Sequence, residues 1–469
     1  MKKTIAILAA LSVAVAACGG DDDSDSSSSV DEVEDSSTAD AGDDDVGDDD
    51  AGDDDAGDAD EGTATEGSDG GADAEPVELL LWTFAENHAK FYEAQAEKYR
   101  EEVNPGFELE VSLVAYADMH DRLLVSLQSG GTGAPDIADI EQGRMGGFFL
   151  AGNPGLVDLT GRLEESGKLD DIVTERLALY SNEGESYGIE HALTPVVMYY
   201  REDLWAEAGI DPLSLETWDE FTAAAIEVEA ATGAKSLPVN NSTHQMLLRQ
   251  RGGDLFDADG EVQIDSDLSI DTWEWILDQI DAGIAAELLG GEEAWTQFNS
   301  DEFASVISAD WYSGLLETNA PDLAGMWRAR TLPVWESGGS TTSVLGGTGA
   351  TIVNTSENID VAWDFLNFAM LTVEGNVNKF ELTGLWPAYI PAMGEPALLE
   401  PREYFGDQVL GEVFAEAAET VPTQYQSPYR TFLQGEHTAA FQDILLGNVP
   451  PEEALTKIAD DTRDEMEFG

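Results

Sequence analysis

The sequence predicts an α/β protein of two lobes, each a mixed or parallel sheet flanked by helices. Three observations lead there. Strand and helix signals alternate as βαβαβ between Glu78 and Ile140, the pattern of a largely parallel sheet with crossover helices. A second block, again starting with a strand, opens near Thr194. The 393 residues that follow Pro76 exceed what one hydrophobic core ordinarily holds.

The first strand is Glu78-Leu79-Leu80-Leu81-Trp82, bounded by Pro76 and by polar Glu86-Asn87-His88. A short continuous apolar run between such bounds is a buried strand. His88–Val103 follows as an amphipathic helix with Phe91, Ala94, Ala96, Tyr99 and Val103 as its apolar positions, stopped by Asn104-Pro105-Gly106. Leu109–Tyr116 is the next strand, Asp118–Ser129 a helix closed by Gly130-Gly131, and Pro135–Ile140 the third strand. In the second block Pro195–Tyr200 reads as a strand and Asp203–Ala208 as a short helix. Leu215–Thr232 is a longer helix whose Thr217 and Glu220 stand at capping-box spacing. Leu237–Asn241 has the look of a strand end, and Ile270–Ala282 is a helix with Trp273, Ile276, Leu277 and Ile280 on one face. Glu302–Ala309 runs from helix into strand and ends at Asp310-Trp311. Leu345–Ile352 is a Gly-rich strand, Asp360–Leu371 a helix, and the chain from Thr438 onward is helical.

Ahead of these elements lies a different kind of sequence. Lys2 and Lys3 precede an apolar run from Ile5 to Ala17, too short to span a bilayer, which ends in Val15-Ala16-Ala17-Cys18. That is the layout of a signal peptide, expected over residues 1–17. Small-small-Cys at its end resembles a bacterial lipobox, which implies cleavage before Cys18 and lipid on its thiol and new amine. Cys18 is the only cysteine, so it has no disulfide partner within the chain. Residues 19–76 hold 25 Asp and Glu and no Lys or Arg. Such a segment cannot bury enough apolar surface to offset its ordering entropy, so residues 18–76 are expected to form an acidic, disordered tether. Its five-residue repeats, such as Ala41-Gly42-Asp43-Asp44-Asp45, are too short for a solenoid and lack EF-hand spacing.

The whole chain carries 96 Asp and Glu against 21 Lys and Arg, a formal charge of −75. Setting aside the tether's 25 acids, and Lys2 and Lys3, leaves 71 acids and 19 bases, a charge of −52 beyond Pro76. This repels nucleic acid and anionic headgroups, so no nucleic-acid partner is expected, and no membrane contact except through lipid on Cys18.

In order along the chain come Leu81-Trp82, Ala134-Pro135-Asp136-Ile137 and Gly143-Arg144-Met145-Gly146-Gly147-Phe148. Then follow Met198-Tyr199-Tyr200-Arg201-Glu202-Asp203-Leu204, Gly209-Ile210-Asp211-Pro212 and Glu216-Thr217-Trp218-Asp219-Glu220-Phe221. Ala309-Asp310-Trp311, Gly346-Gly347-Thr348-Gly349 and Thr383-Gly384-Leu385-Trp386-Pro387 complete the set. Together these strings resemble the extracellular solute-binding proteins of ABC transporters, the family that includes the maltose-binding protein, over nearly all of residues 77–466. The resemblance implies a two-lobed, type II periplasmic-binding-protein-like fold with three crossing segments that closes on its ligand by hinge bending. The expected N-lobe is 77–190 with 331–375, and the C-lobe 191–330 with 380–469. Crossings are placed near 189–194, 329–333 and 372–384. The resemblance further implies a monomeric receptor without catalysis or cofactor, held at the outer face of the cytoplasmic membrane. Its ligand would be a carbohydrate, foremost an oligosaccharide, passed to the permease subunits. A same-fold receptor for a polyamine or other non-sugar solute is the alternative, with an anchored glycosidase behind it.

Sugars present apolar C–H faces and rings of hydroxyls, so their sites combine aromatic platforms with placed polar groups. Trp82, Trp311 and Trp386 fall at loop ends that the resemblance puts around the cleft, while Trp218, Trp273, Trp275 and Trp363 read as core. The polar candidates are Glu86, Asn87 and His88 after the first strand, Glu141 and Gln142 after the third, Thr194 at the first crossing, Asn240, Asn241 and His244, and Asp310. Gly347 belongs to a string that lacks the Lys-Ser/Thr ending of a phosphate loop, so its glycines are read as permitting close backbone approach. The five histidines show no metal-ligand spacing, so no metal site is expected. No Gly-x-Ser-x-Gly elbow occurs, and carboxylates are too many for spacing to single out a glycosidase pair.

Overall fold

The computed structural model describes residues 76–150 and 152–468. The expected signal peptide over 1–17, Cys18 and the tether up to residue 75 lie outside the described residues. The first sheet begins with β1 (Val77–Thr83), α1 (Glu86–Glu102), β2 (Phe107–Leu113), α2 (Tyr116–Gln128) and β3 (Ile137–Glu141), followed by α3 (Gln142–Phe149). β1 pairs in parallel with both β2 and β3, as the alternating pattern predicts. After β4 (Ile189–Glu190) the chain enters β5 (Pro195–Arg201), then α4 (Trp218–Thr232), β6 (Leu237–Val239), α5 (Asn241–Gln250), α6 (Asp267–Asp281) and β7 (Ala285–Glu287). The strands β8 (Ser305–Ala309), β9 (Trp327–Arg330), β10 (Ser343–Val344) and β11 (Thr348–Ile352) follow. The helices α7 (Ile359–Met370), α8 (Val373–Thr383), α9 (Arg430–Leu445) and α10 (Pro451–Phe468) end the chain.

β11 and β4 complete the first sheet in the order β2-β1-β3-β11-β4, with β11 antiparallel to both its neighbours. The second sheet is built on β5, which pairs antiparallel with β8, β9 and β10. β5 is the unbroken run Pro-Val-Val-Met-Tyr-Tyr-Arg, buried at every position. Alternation explains why: Val196, Met198 and Tyr200 enter one core with Trp205, Phe221 and Trp273, while Val197 and Tyr199 enter another with Phe298, Trp327 and Trp386. A strand covered on both faces carries apolar side chains on both. The first sheet has its own core, where Leu79, Phe91, Phe107, Ile352 and Phe365 meet. Among the described residues no helix is long and apolar enough to cross a membrane.

The chain leaves the first sheet at β4 and enters the second at β5. Its return differs from expectation. Residues 331–345 were assigned to the first lobe, with a crossing near 329–333, but they stay with the second sheet. Leu332 is buried in that core, and Ser343 pairs with Val196. The reason is register: β8 occupies one edge of β5, while β9 covers Met198–Arg201 and β10 covers Pro195 and Val196 on the other. The return therefore falls between Val344 and Thr348, at Gly346-Gly347. α8 touches α1 through Gln95–Asn378 (2.7 Å) and Lys98–Glu374 (3.0 Å), yet its Phe380 sits in the core shared with Trp386.

Candidate functional site

The segments that pass between the two sheets border a cleft of about 340 Å³. The turn from β1 into α1 contributes Phe84, Glu86, Asn87 and His88, the end of β3 contributes Glu141, and the first crossing Glu190, His191 and Thr194. The return contributes Gly346, Gly347 and Thr348, and Trp311 stands just past β8. Strand ends converge here because both sheets present the loops of their passing segments to the same space, the usual position of a ligand in open α/β folds.

Trp311 is half-buried, edge-on to Tyr312 at 5.7 Å, and its indole N–H donates to the Leu345 carbonyl at 3.3 Å. Asp310 holds it from behind: one carboxylate oxygen accepts from the Trp311 N–H (2.8 Å), the other from the Trp386 N–H (2.6 Å). Asp310 is fully buried, and burial raises its carboxyl to about 7. Glu141 caps α3, accepting from the Gly143 N–H at 2.7 Å, and takes further bonds from Tyr116 (3.1 Å) and Gln142 (3.0 Å). Burial raises its carboxyl despite those donors.

Glu190 forms a buried ion pair with Arg176 at 2.8 Å, and its other oxygen accepts from the Thr348 N–H at 2.9 Å. Arg176 also donates to the Gly346 carbonyl at 3.0 Å. Gly347 lies directly over this pair with φ +128°, where a Cβ would overlap the Arg176 guanidinium. Only glycine combines that backbone angle with that approach. The close approach expected at this string is thus made to a protein ion pair.

His88, Asp139 and His191 form a buried cluster along the cleft wall. Asp139 accepts from Thr83 (2.7 Å) and His88 Nδ1 (2.9 Å) on one oxygen, and from Tyr92 (2.8 Å) and His191 Nε2 (3.1 Å) on the other. Burial alone would raise this carboxyl, but the His191 and His88 rings hold it well below the usual carboxylate range. Burial holds His191 down to about 3, so it is neutral. Three metal-type donors thus lie within 4.8 Å of one another, a cluster that sequence spacing did not reveal. One nitrogen of each imidazole bonds its own carboxylate oxygen, and two hydroxyls fill that carboxylate's remaining lone pairs, so these groups serve one another.

Of the expected site residues, Glu86, Asn87, His88, Glu141, Thr194, Trp311 and Gly347 line the cleft. The others are placed elsewhere. Trp82 is buried under the Arg122 guanidinium, 4.8 Å from its ring. Gln142 is buried within α3, and its carbonyl accepts from Gln426. Asn240 is the N-cap of α5, accepting from the Ser242 N–H at 2.9 Å, with Asn241 the first residue of that helix. His244 is fully buried, bonded to Ser269 and stacked on Trp273 at 5.4 Å. Asp310 reaches the cleft only through Trp311, and Trp386 packs edge-on against Phe380. Sequence reasoning passed over Glu190 and His191, although both fall in the crossing it had placed. Arg176 sits on a four-residue helix with no motif to mark it.

Residues 83–372 match the family model described as bacterial extracellular solute-binding protein. The chain belongs to this family. Its members bind solutes and are not enzymes, and the family as named is extracellular. The arabinooligosaccharide-binding protein of Halalkalibacterium halodurans is 33% identical over 402 residues, 82% of this chain and 89% of that protein. The lactose-binding protein of Rhizobium radiobacter is 27% identical over 394 residues, 82% of this chain and 92% of that protein. Among solved structures, the GacH receptor of Streptomyces glaucescens, known unliganded and with acarbose, superposes with a TM-score of 0.71 at 19% identity, covering 83% of this chain and 98% of that one. That likeness establishes the two-lobed solute-binding fold.

Proposed function

We propose that this protein is the lipid-anchored, extracellular substrate-binding protein of an ABC importer, and that its cleft captures a neutral oligosaccharide for delivery to the membrane permease. The carrying observation is Trp311, a half-buried aromatic face beside Glu86, Asn87, His88, Thr194 and Glu141. An apolar platform ringed by a few fixed polar groups suits a sugar's two kinds of surface. The names of the H. halodurans and Bacillus subtilis relatives, both arabinooligosaccharide-binding proteins, make arabino-oligosaccharides the first ligands to test. The polyamine reading keeps one observation of its own: Glu86 and Glu141 line the cleft, and among the described residues that line it none is Lys or Arg.

Tryptophan fluorescence titrated with arabinotriose, lactose and putrescine separates the two readings. For arabinotriose, Trp311→Ala is expected to weaken binding by about 1–3 kcal/mol, roughly 5- to 150-fold, the scale of lost stacking and apolar burial. Unchanged affinity in that variant would remove Trp311 from the site. Tight binding of putrescine without any sugar would transfer the cleft to the cationic class.

A further inference from the structure

The His88–Asp139 pair carries a consequence for what the cleft accepts. An ionised carboxylate can only accept hydrogen bonds, and a neutral imidazole donates from one nitrogen and accepts at the other. Asp139 is fully buried and ionised, and it faces His88 Nδ1 at 2.9 Å. In the neutral ring the proton therefore sits on Nδ1, and Nε2 carries a lone pair. Nδ1 points into the protein at Asp139, so Nε2, across the ring, points away from it. His88 lines the cleft. Among the described residues nothing bonds its Nε2, and that atom is not sealed off as the partnerless Nδ1 of His191 is.

The ring is also held in its plane. His191 stacks on it at 4.0 Å and 15°. His191 is oriented by Asp139 and by Tyr92, whose hydroxyl lies 2.8 Å from its Nε2. Turning His88 over would set its Cδ2–H, in place of the Nδ1–H, against the Asp139 carboxylate and lose that hydrogen bond, so the ring keeps Nδ1 on Asp139.

We infer that His88 is a specificity residue of this cleft, a fixed hydrogen-bond acceptor for a ligand hydroxyl, and that Asp139 is the positioning residue that sets its tautomer. This rests on the carbohydrate reading above. A sugar hydroxyl donates to Nε2. The oxidised counterpart of that sugar, a uronate, would set a carboxylate against the same lone pair, with Glu86 and Glu141 also in the wall and, among the described residues lining it, no Lys or Arg. The site thus selects neutral over acidic saccharides at this position.

Histidine-15N-labelled protein, read by long-range proton–nitrogen correlation, tests this directly. His88→Gln assigns the resonance. The free protein is expected to show His88 protonated at Nδ1, and saturation with arabinotriose should shift its Nε2 signal toward a hydrogen-bonded acceptor. His88→Ala should bind arabinotriose about tenfold more weakly, the cost of one hydrogen bond. Asp139→Asn should mix the His88 tautomers and weaken binding while leaving the Trp311 fluorescence response in place. An Nε2-protonated His88 in the free protein, or an Nε2 signal unmoved while Trp311 fluorescence reports saturation, would overturn this proposal and leave the carbohydrate reading standing. If no saccharide changes the fluorescence, the carbohydrate reading falls and this one with it.

Discussion

Lys379 is a fully buried lysine whose ammonium has no hydrogen-bond partner and lies 5.5 Å from the centre of the Phe91 ring. Burial lowers it from its ordinary 10.5 to about 7, while Asp310, in the same field, is raised by burial from 3.8 to about 7. The two act in opposite senses on stability. Between about pH 4 and 7 the folded state holds the Asp310 proton that the unfolded chain has released, so its contribution falls as pH rises. Between about pH 7 and 10.5 the unfolded chain holds the Lys379 proton that the folded state has released, so stability rises with pH. Lys379→Met removes the second effect. The variant should melt higher than wild type at pH 6, and its advantage should shrink steadily from pH 7 to pH 10. A constant advantage across that range, measured by calorimetry, would mean that Lys379 is not a buried neutral amine at alkaline pH. Neither role was read from sequence, where 372–384 is a crossing segment and Asp310 a polar candidate for the site. Trp311, by contrast, was legible, since an aromatic that ends a strand has a loop to emerge from. His244 was misplaced because one polar residue on a short helix can face the core when a second helix offers it a carbonyl, here that of Ser269.

At the scale of elements, the α3 helix is where the first sheet's side of the molecule meets the C-terminal segment. Gln426 donates to the Gln142 carbonyl at 2.7 Å and Thr431 to the Gly143 carbonyl at 2.8 Å. Gly146 allows this contact: a Cβ there would overlap the Ser427 carbonyl. Backbone cannot yield as a flexible side chain does, so Gly146→Ala should push residues 427–431 away from α3. No cleft residue changes, yet closure of the two sides is opposed. The expected result is about tenfold weaker binding of arabinotriose with a larger radius of gyration in small-angle scattering. A fall in affinity without that expansion would argue for local damage instead of lost closure. The βαβαβ opening of the chain was legible because β1 holds a compact apolar run, β2 alternates apolar with polar, and turn residues separate the elements. The Gly-rich stretch was harder. Leu345–Ile352 reads as one strand, but Gly346 and Gly347 have φ of +70° and +128°, so only Thr348–Ile352 forms β11, on the first sheet, while β10 just before the glycines stays on the second. Nothing in a run of small residues states which neighbour each half will join, and that choice moved residues 331–345 from one lobe to the other.

At the scale of the whole molecule, a receptor must meet solute outside the cell and a permease in the membrane. Among the described residues no helix is long and apolar enough to cross a membrane, and a charge of −52 beyond Pro76 repels anionic headgroups. In the proposed arrangement membrane contact is left to lipid on Cys18, with residues 19–76 between it and the folded part. In this proposal one lipidated residue anchors the receptor at a single point remote in sequence from the cleft residues. Anchor and binding site are then independent, and Cys18→Ser separates them. The variant should leave the membrane fraction for the medium or periplasm while titrating with arabinotriose as wild type does. Membrane retention of the variant would show that the lipobox reading is wrong. Release together with weakened binding would show that the tether acts on the cleft, which independent parts do not allow.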